Sequence, residues 1–509
     1  MFDAIIFTDM SLHRQASLHL GPYKIAHLLR QQGYEVLVVN HLSHYNMQEL
    51  KDLIDISLTE RTKFVGFSTT FLALLQYDDE GNKIPAKVGS MPKDTPFPQG
   101  REFGDEIFRY MLSKHSDVKF VIGGRGGIGY KNPYINYWVR GYAELSALNL
   151  MNHLAHGEEL QKSTLLEDRL IVVNDPKAEG YNFTSDSMAW RKTDVVNHKV
   201  LPMETARGCI FNCKFCNFIL NGKKNNDYIR QSDSLYQELL DNYNNFGITH
   251  YYFVDDTFNE NIVKLKALAE MVERLPFKPQ FWAFTRLELL CTMPTAIDLM
   301  DRIGVRAMFF GIETMNLETG RIVGKGYARE KQIELMRHVS ENYPHITTHG
   351  SFIAGLPKEP YESLELTIQQ LQTGEIPLHS WSMRPLYIAE HDGIDAASFS
   401  DIDLNWEKYG YKKLDVAPEG VILWENDQGL RYVDLFDSIM KTVSEAQRSK
   451  KFFVPGIDSF QLVNLGYELD EVIHTNLYGF NWDEVDQRID TFVAEYKTQM
   501  IQILLDMKN

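Results

Sequence analysis

The chain has 509 residues, enough for about three domains with real apolar cores. It carries 52 Lys and Arg against 69 Asp and Glu, a formal net charge of −17. With no basic block, that balance argues against a nucleic-acid partner, which asks for a basic face. No run approaches the roughly 18 apolar residues of a membrane helix, and the start Met-Phe-Asp-Ala-Ile-Ile-Phe-Thr-Asp lacks the basic region and longer apolar core of a signal peptide. Of four cysteines three are clustered, which is no disulfide framework. A reducing cytoplasm, without a membrane, is the expectation.

In chain order, residues 3–8 form a short apolar run that predicts a buried strand. Ile25, Leu28 and Leu29 recur at helical spacing over 21–33, with Gly33 as a stop. Val36–Val39 and Phe64–Phe67 are further strands, a helix over 102–115 leads to Val118–Ile122, and Tyr137–Arg140 with its following helix closes the set. Strands alternating with helices imply a Rossmann-like, doubly wound parallel sheet, which binds ligands at the carboxyl ends of its strands. The run Gly123-Gly-Arg-Gly-Gly-Ile-Gly129 is either a flexible turn or a loop offering backbone amides to a ligand, and it opens no helix. Residues 76–101, with four prolines, look like an insertion, a lid or an interface.

After a strand over 169–173 and a linker, alternation resumes at Leu201. Strands Leu201–Ala206, Tyr251–Val254, Gln280–Thr285, Arg306–Phe310, Thr347–Ile353 and Ser380–Ile388 make six βα units with helices over 232–245, 261–274, 295–303, 329–342 and 361–373. The first strand delivers Cys209, Cys213 and Cys216 in a C-x3-C-x2-C spacing. Thiolates so close in sequence can wrap one metal centre, and soft sulfur selects iron–sulfur clusters or zinc. Structural zinc is closed by four ligands, and no further Cys or His follows at the usual spacing. A four-iron cluster on three cysteines would leave one iron open for a substrate. The fourth cysteine, Cys291, stands alone and reads as a small buried hydrophobe.

This cysteine spacing, after Ala-Arg-Gly and with Phe215 before the last thiol, resembles the radical S-adenosylmethionine (radical SAM) superfamily. The resemblance implies a [4Fe–4S] cluster on Cys209, Cys213 and Cys216, with Phe215 beside it and SAM chelated to the open iron. It also implies reductive cleavage of SAM to methionine and a 5′-deoxyadenosyl radical, and an electron donor such as flavodoxin or ferredoxin. The six units are similar to the superfamily's partial (βα)6 TIM-like barrel, over about 195–390. By the same resemblance Asp255 and Asp256, where the family has Gly-Gly-Glu, face the SAM ammonium, and Arg286 clamps its carboxylate. Glu313, in Gly311-Ile-Glu-Thr314, belongs near the ribose or methionine end; Gly355, in Gly350–Glu359, near the adenine; Lys325-Gly326 matches a positional pattern. Each has a plain structural use as well: a helix cap, a surface ion pair or a turn. Trp381, Met383, Arg384 and Tyr387 on the last strand face SAM or substrate, or fill core. No catalytic acid, base or nucleophile stands out.

The order of pieces in residues 1–157 resembles the cobalamin-binding domain that precedes many radical SAM barrels: Gly21-Pro-Tyr, Gly66-Phe-Ser68-Thr-Thr70, Gly123-Gly124 and Arg140-Gly-Tyr-Ala-Glu144. It implies that Ser68, Thr70, Gly123 and Gly124 touch cobalamin. The Asp-x-His-x-x-Gly signature is absent, and Asp9, His13 and His19 stand at other spacings. The alternative is a Rossmann-like domain that shapes a substrate pocket.

The expected plan is therefore the Rossmann-like domain over 1–157, a linker over 158–194, the barrel over 195–390 and a mainly α-helical region over 391–509. Helical patterns cover 430–447, 457–467 and 482–507, and the last is expected to dock on the barrel and close its open side or mouth. The function this implies is radical SAM chemistry on a small molecule or peptide, with cobalamin-dependent methylation of an unactivated carbon as its sharpest form. A cobalamin-free radical SAM cyclase or isomerase, and a non-catalytic cluster- or corrinoid-binding sensor, are the alternatives.

Overall fold

The structure, a computed structural model, describes residues 1–9, 16–70, 72, 74, 76–77, 83–84, 105–124, 130–175, 181–216, 228–390, 399–417, 420–447, 454 and 456–508. The chain divides into two compact units, one of Met1–Asn182, Met188–His198 and Val485–Asn509, the other of Phe183–Ser187 and Lys199–Glu484. Among the described residues no helix is long and apolar enough to cross a membrane.

In the first unit, strands β1 (Ala4–Phe7), β2 (Val36–Val39), β3 (Phe64–Ser68), β6 (Lys119–Gly123), β7 (Tyr137–Gly141) and β9 (Leu170–Asp175) pair in parallel, with β8 (Ser163–Leu166) antiparallel at one edge. A two-residue hairpin, β4 (Gln76–Tyr77) with β5 (Lys83–Ile84), stands apart. Helices α1 (Leu20–Gln31), α2 (Met47–Ser57), α3 (Asp105–Lys114) and α4 (Ala143–His156) make the connections. The order β2-β1-β3-β6-β7 reverses direction between β1 and β3, the kind of switch point where open α/β sheets bind ligands. Beyond the expected set, β8 and β9 extend the same sheet: β9 is buried at Leu170, Val172 and Val173 and continues the parallel ladder on β7.

The last helix, α16 (Trp482–Lys508), corrects an expectation. From Val485 it belongs to the first unit, not to the barrel. Tyr496, Met500 and Leu504 enter the core built on Ile5, Phe7, Val39 and Val65, and Tyr496 accepts a hydrogen bond from the Asn40 amide at 2.9 Å. An amphipathic face states only that it must be covered; here it joins a core that also holds Leu50, Leu53 and Ile54 of α2. Lys497 adds an ion pair with Glu49 at 2.8 Å.

The second unit is a six-stranded, wholly parallel sheet in sequence order: β10 (Val200–Met203), β11 (His250–Phe253), β12 (Gln280–Thr285), β13 (Val305–Glu313), β14 (Thr347–Ala354) and β15 (Ser380–Pro385). The strands β10 and β15 stay unpaired with each other, so the barrel is partial. Outside run α5 (Ser232–Phe246), α6 (Ile262–Glu273), α7 (Leu287–Thr292), α8 (Thr295–Ile303), α9 (Leu317–Val323), α10 (Arg329–Asn342) and α11 (Tyr361–Thr373). The C-terminal region supplies α12 (Asp401–Asn405), an antiparallel hairpin of β16 (Tyr411–Val416) and β17 (Ile422–Asn426), then α13 (Tyr432–Gln447), α14 (Gly456–Asn464) and α15 (Leu469–Val472). The α14–α15 pair closes the amino-terminal end of the barrel: Asn464 Oδ1 accepts from the amides of Lys199 and Val200, and Thr347 Oγ1 donates to the Ile473 carbonyl.

Within the first unit, Arg30 and Asp194 form a buried, two-pronged pair at 2.6 and 2.9 Å, with side-chain exposures of 4% and 0%. Removing one partner strands the other charge in a water-poor site. Asp194→Ala is therefore expected to cost about 3–5 kcal/mol in denaturant unfolding of the first unit, a large fraction of an ordinary domain's stability.

Candidate active site

The site starts at the carboxyl end of β10. Thr205 donates its amide to Asp255 Oδ1 at 2.6 Å and its hydroxyl to Asp255 Oδ2, and Lys264 from α6 donates to the same carboxylate at 3.2 Å. Arg207 makes a two-pronged bond to Glu204 at 2.6 and 2.7 Å and lies over the Phe183 ring. These bonds fix the strand end, and Gly208 at φ 77 turns the chain into the cysteine loop.

The loop is held from three sides. Lys214 donates its amide to the Val323 carbonyl at the end of α9 at 3.0 Å and accepts at its own carbonyl from the Ile402 amide of α12 at 2.9 Å. Its ammonium pairs with Asp401 at 3.0 Å, and Tyr409 donates to Asp401 at 2.8 Å, so that carboxyl sits below the usual range, first through Tyr409 and then Lys214. The Gly324 carbonyl accepts from Arg286 Nη2 at 2.6 Å and lies 3.7 Å from the Cys213 thiol. A Cβ on Gly324, already at φ 81, would stand 3.2 Å from the Asn212 carbonyl oxygen. The loop and the Val323–Gly326 turn thus fit backbone to backbone.

Cys213 is buried, while Cys209 and Cys216 are half-buried, and Phe215 is half-buried in the turn between the last two thiols. Cys209 Sγ lies 3.3 Å from Thr257 Oγ1, and burial pushes its thiol up. Among the described residues no three His, Cys, Asp or Glu side chains close on a single ion. A cluster with one thiolate on each of three irons asks instead for sulfurs spread around it. Arg286, at the end of β12, places Nη1 3.3 Å from Cys213 Sγ, stacks over Phe211 at 4.0 Å and pairs with Glu288 at 3.4 Å. A guanidinium beside these sulfurs suits an anionic thiolate cluster.

Of the sequence-derived candidates, Arg286, Asp256 and Glu313 do gather here. Asp256 acts on Cys209 electrostatically, raising its thiol after the larger effect of burial. Glu313, at φ 66 after a bulge in β13, is buried, which raises its carboxyl; Lys325 opposes the rise through an ion pair at 3.3 Å. Gly311 makes room for this pair, since a Cβ there would meet Glu313 Oε1 at 2.8 Å and Lys325 Nζ at 3.0 Å. Asp255 departs from expectation: its oxygens accept from Thr205 and from the Lys264 ammonium, so it braces the strand end. Gly355 meets the C-terminal hairpin. At φ 75 a Cβ would lie 2.5 Å from the Trp424 ring, and its carbonyl accepts from Tyr411 at 2.8 Å. The hairpin β16–β17 packs against β14 at this glycine. Cys291 is set apart on α7, its thiol pushed up to about 12 by burial. The Lys214–Asp401 clasp was missed, because no motif marks a lysine between two cysteines as the anchor of a helix in the C-terminal region.

In the first unit, Ser68, Thr70, Gly123 and Gly124 meet at the carboxyl ends of β3 and β6. The Thr69 amide donates to the Gly123 carbonyl at 2.7 Å, and a Cβ on Gly124, at φ 123, would stand 2.8 Å from the Thr70 amide nitrogen and hydroxyl. His19 Nδ1 lies 3.3 Å from Ser68 Oγ, and burial brings its imidazole down to about 4, so it is neutral. Buried Thr8 Oγ1, at the end of β1, has no hydrogen-bond partner among the described residues. A small-residue cradle with a spare hydroxyl at the switch point fits a large ligand rich in amides. Asp9 is engaged by Ser43. His13 and Arg125 lie outside the described residues.

Residues 203–371 match the radical SAM superfamily model, so this span carries a radical SAM domain, a domain that takes a [4Fe–4S] cluster and S-adenosylmethionine. The chain is similar in fold to the radical SAM methyltransferase TsrM from Kitasatospora setae, solved with cobalamin and a [4Fe–4S] cluster (TM-score 0.63, 15% identity, 98% of this chain and 100% of that one). The cobalamin-dependent radical enzyme OxsB, solved with aqua-cobalamin and S-adenosylmethionine, is also similar (TM-score 0.54, 16% identity, 80% of this chain and 56% of that one). At such identities the likeness is one of fold. A curated sequence relative, the uncharacterized methyltransferase PH0819 of Pyrococcus horikoshii, is 25% identical over 294 residues, 54% of this chain and 61% of its own length.

Glu359 gives a test of the site's internal electrostatics. It accepts from Thr314 at 2.6 Å, and burial raises its carboxyl to about 7. The folded state therefore keeps a proton that the unfolded chain releases near its ordinary value of 4.5, and stability falls as pH rises between those two values, then levels off. Glu359→Gln is expected to flatten that part of a stability–pH curve measured by chemical denaturation.

Proposed function

We propose that the protein is a cobalamin-dependent radical SAM methyltransferase acting on a small molecule. The observation that carries the reading is the convergence on the cysteine loop: Arg286 beside Cys213, Asp256 within electrostatic reach of Cys209, and the Glu313–Lys325 pair next to Gly324 and its contact with Cys213. Cys209, Cys213 and Cys216 hold the cluster, Arg286 meets the SAM carboxylate, and Asp256 with Glu313 takes the ammonium and ribose side, all through charge-assisted bonds. When bound, the cluster supplies one electron that divides SAM into methionine and a 5′-deoxyadenosyl radical. Ser68, Thr70, Gly123 and Gly124 would cradle the cobalamin, which would supply a methyl group, and His19 holds Ser68 at the edge of the cradle. A flavodoxin- or ferredoxin-type donor supplies the electron. The methyltransferase part draws support from the likeness of fold to TsrM over nearly the whole chain and from the named relative.

The test is anaerobic reconstitution with iron, sulfide and hydroxocobalamin, followed by SAM bearing a deuterated methyl group. The expected results are one corrinoid per chain by absorbance and deuterated methyl on the corrinoid or product. Ser68→Tyr with Gly124→Val should lower corrinoid retention at least about tenfold while iron content holds. SAM-derived 5′-deoxyadenosine without corrinoid uptake would leave the cobalamin-free cyclase or isomerase; uptake without any SAM turnover would leave the sensor. In the Cys209→Ala, Cys213→Ala, Cys216→Ala triple variant, iron binding and SAM cleavage should both vanish with the circular dichroism spectrum unchanged.

A further inference from the structure

The inner face of β13–β15 carries a polar row that the cysteine site does not use. His349 on β14 bonds both Ser380 and Ser382 of β15, at 2.8 and 3.0 Å, and its ring lies 4.8 Å from that of Phe309, so all these residues share one face. Side chains alternate along a strand, which puts Gly311, Ser351 and Arg384 on that face too. The register aligns Gly311 with Ser351 and Ser351 with Ser382, and sets Arg384 against Ile353 one step nearer the carboxyl ends. The Glu313–Lys325 pair sits directly on Gly311. From Gly311 to β15 is two strand spacings, about 10 Å. Glycine and two serines leave that interval shallow and hydrogen-bonding.

Arg384 stands exposed at the far side of it, and among the described residues it has no hydrogen-bond or ion-pair partner. The other inner cations are committed: Lys325 to Glu313 and the Gly311 carbonyl, Arg286 to Glu288 and Gly324. Arg286 touches Cys213 and so belongs with SAM, whereas Arg384 lies two strands further round. A guanidinium is a planar fork that matches a carboxylate, and serine hydroxyls complete such a contact. A phosphate dianion would ask for more than one free cation, and Glu313 and Asp256 make this mouth acidic.

We propose that Arg384, with Ser351 and Ser382, is the recognition site for a carboxylate on the substrate, which makes the methyl acceptor a small carboxylic acid such as an amino acid. The inference rests on the radical SAM reading of the cysteine site. Its test uses the full chain reconstituted with cluster and SAM, in equilibrium dialysis against the proteinogenic amino acids and their 2-oxo acids, each beside its primary amide. At least one acid should be retained about tenfold more tightly than its amide, and Arg384→Gln should lose that margin. Arg384→Lys should recover part of it. SAM affinity and iron content should be the same in all three proteins. The proposal is overturned if no acid is retained over its amide, if Arg384→Gln keeps the preference, or if that variant weakens SAM binding, which would give the arginine to SAM. Wild-type protein without iron or SAM binding would instead bring down the radical SAM reading itself.

Discussion

The barrel depends on how the short cysteine loop is anchored. Its central residue, Lys214, gives its amide to the end of α9, its carbonyl to α12 and its ammonium to Asp401, while Gly324 and Arg286 clasp the neighbouring Cys213. A metal-binding loop must present three sulfurs at fixed positions without a helix or strand of its own, so its geometry comes from what it touches. The bond energies here are modest one by one, and the Lys214–Asp401 pair is about one-third exposed, so its worth lies in position more than in stability. Upstream, the Asp255–Thr205–Lys264 and Glu204–Arg207 bonds keep the strand end rigid, so the loop hangs between two fixed points.

Seen from that loop, the glycines of the barrel divide by use. Gly311 clears space for a buried ion pair, Gly324 lets two backbones meet, and Gly355 yields to Trp424. The hairpin carrying Trp424 is fixed to the carboxyl ends of β14 and β15 by the ring's packing on Gly355 and its indole bond to the Leu386 carbonyl at 2.8 Å.

Much of this was legible in the sequence because it is local. The βα alternation, nearly every barrel element and the cysteine spacing follow from periodicity and from ligand chemistry acting over a few residues. What was not legible is tertiary choice. The apolar stripe of α16 is plain, but nothing local says that Tyr496 meets Asn40 in the first unit. Asp255 and Asp256 are adjacent and chemically identical, and only the tertiary contacts with Thr205 and the buried Lys264 set Asp255 apart. Gly355 reads as a cradle until Trp424 is seen against it. The hairpin β16–β17 was hidden in a stretch with no clear period.

The central claim is that three thiols hold a four-iron cluster whose remaining iron is open to SAM. Electron paramagnetic resonance of the reconstituted, dithionite-reduced protein tests it most directly, read before and after adding SAM under turnover-free cooling. The account predicts a single reduced [4Fe–4S] signal whose g-values move when SAM is added, and no such signal from the Cys213→Ala protein. A signal indifferent to saturating SAM, or a [2Fe–2S] spectrum, would contradict it.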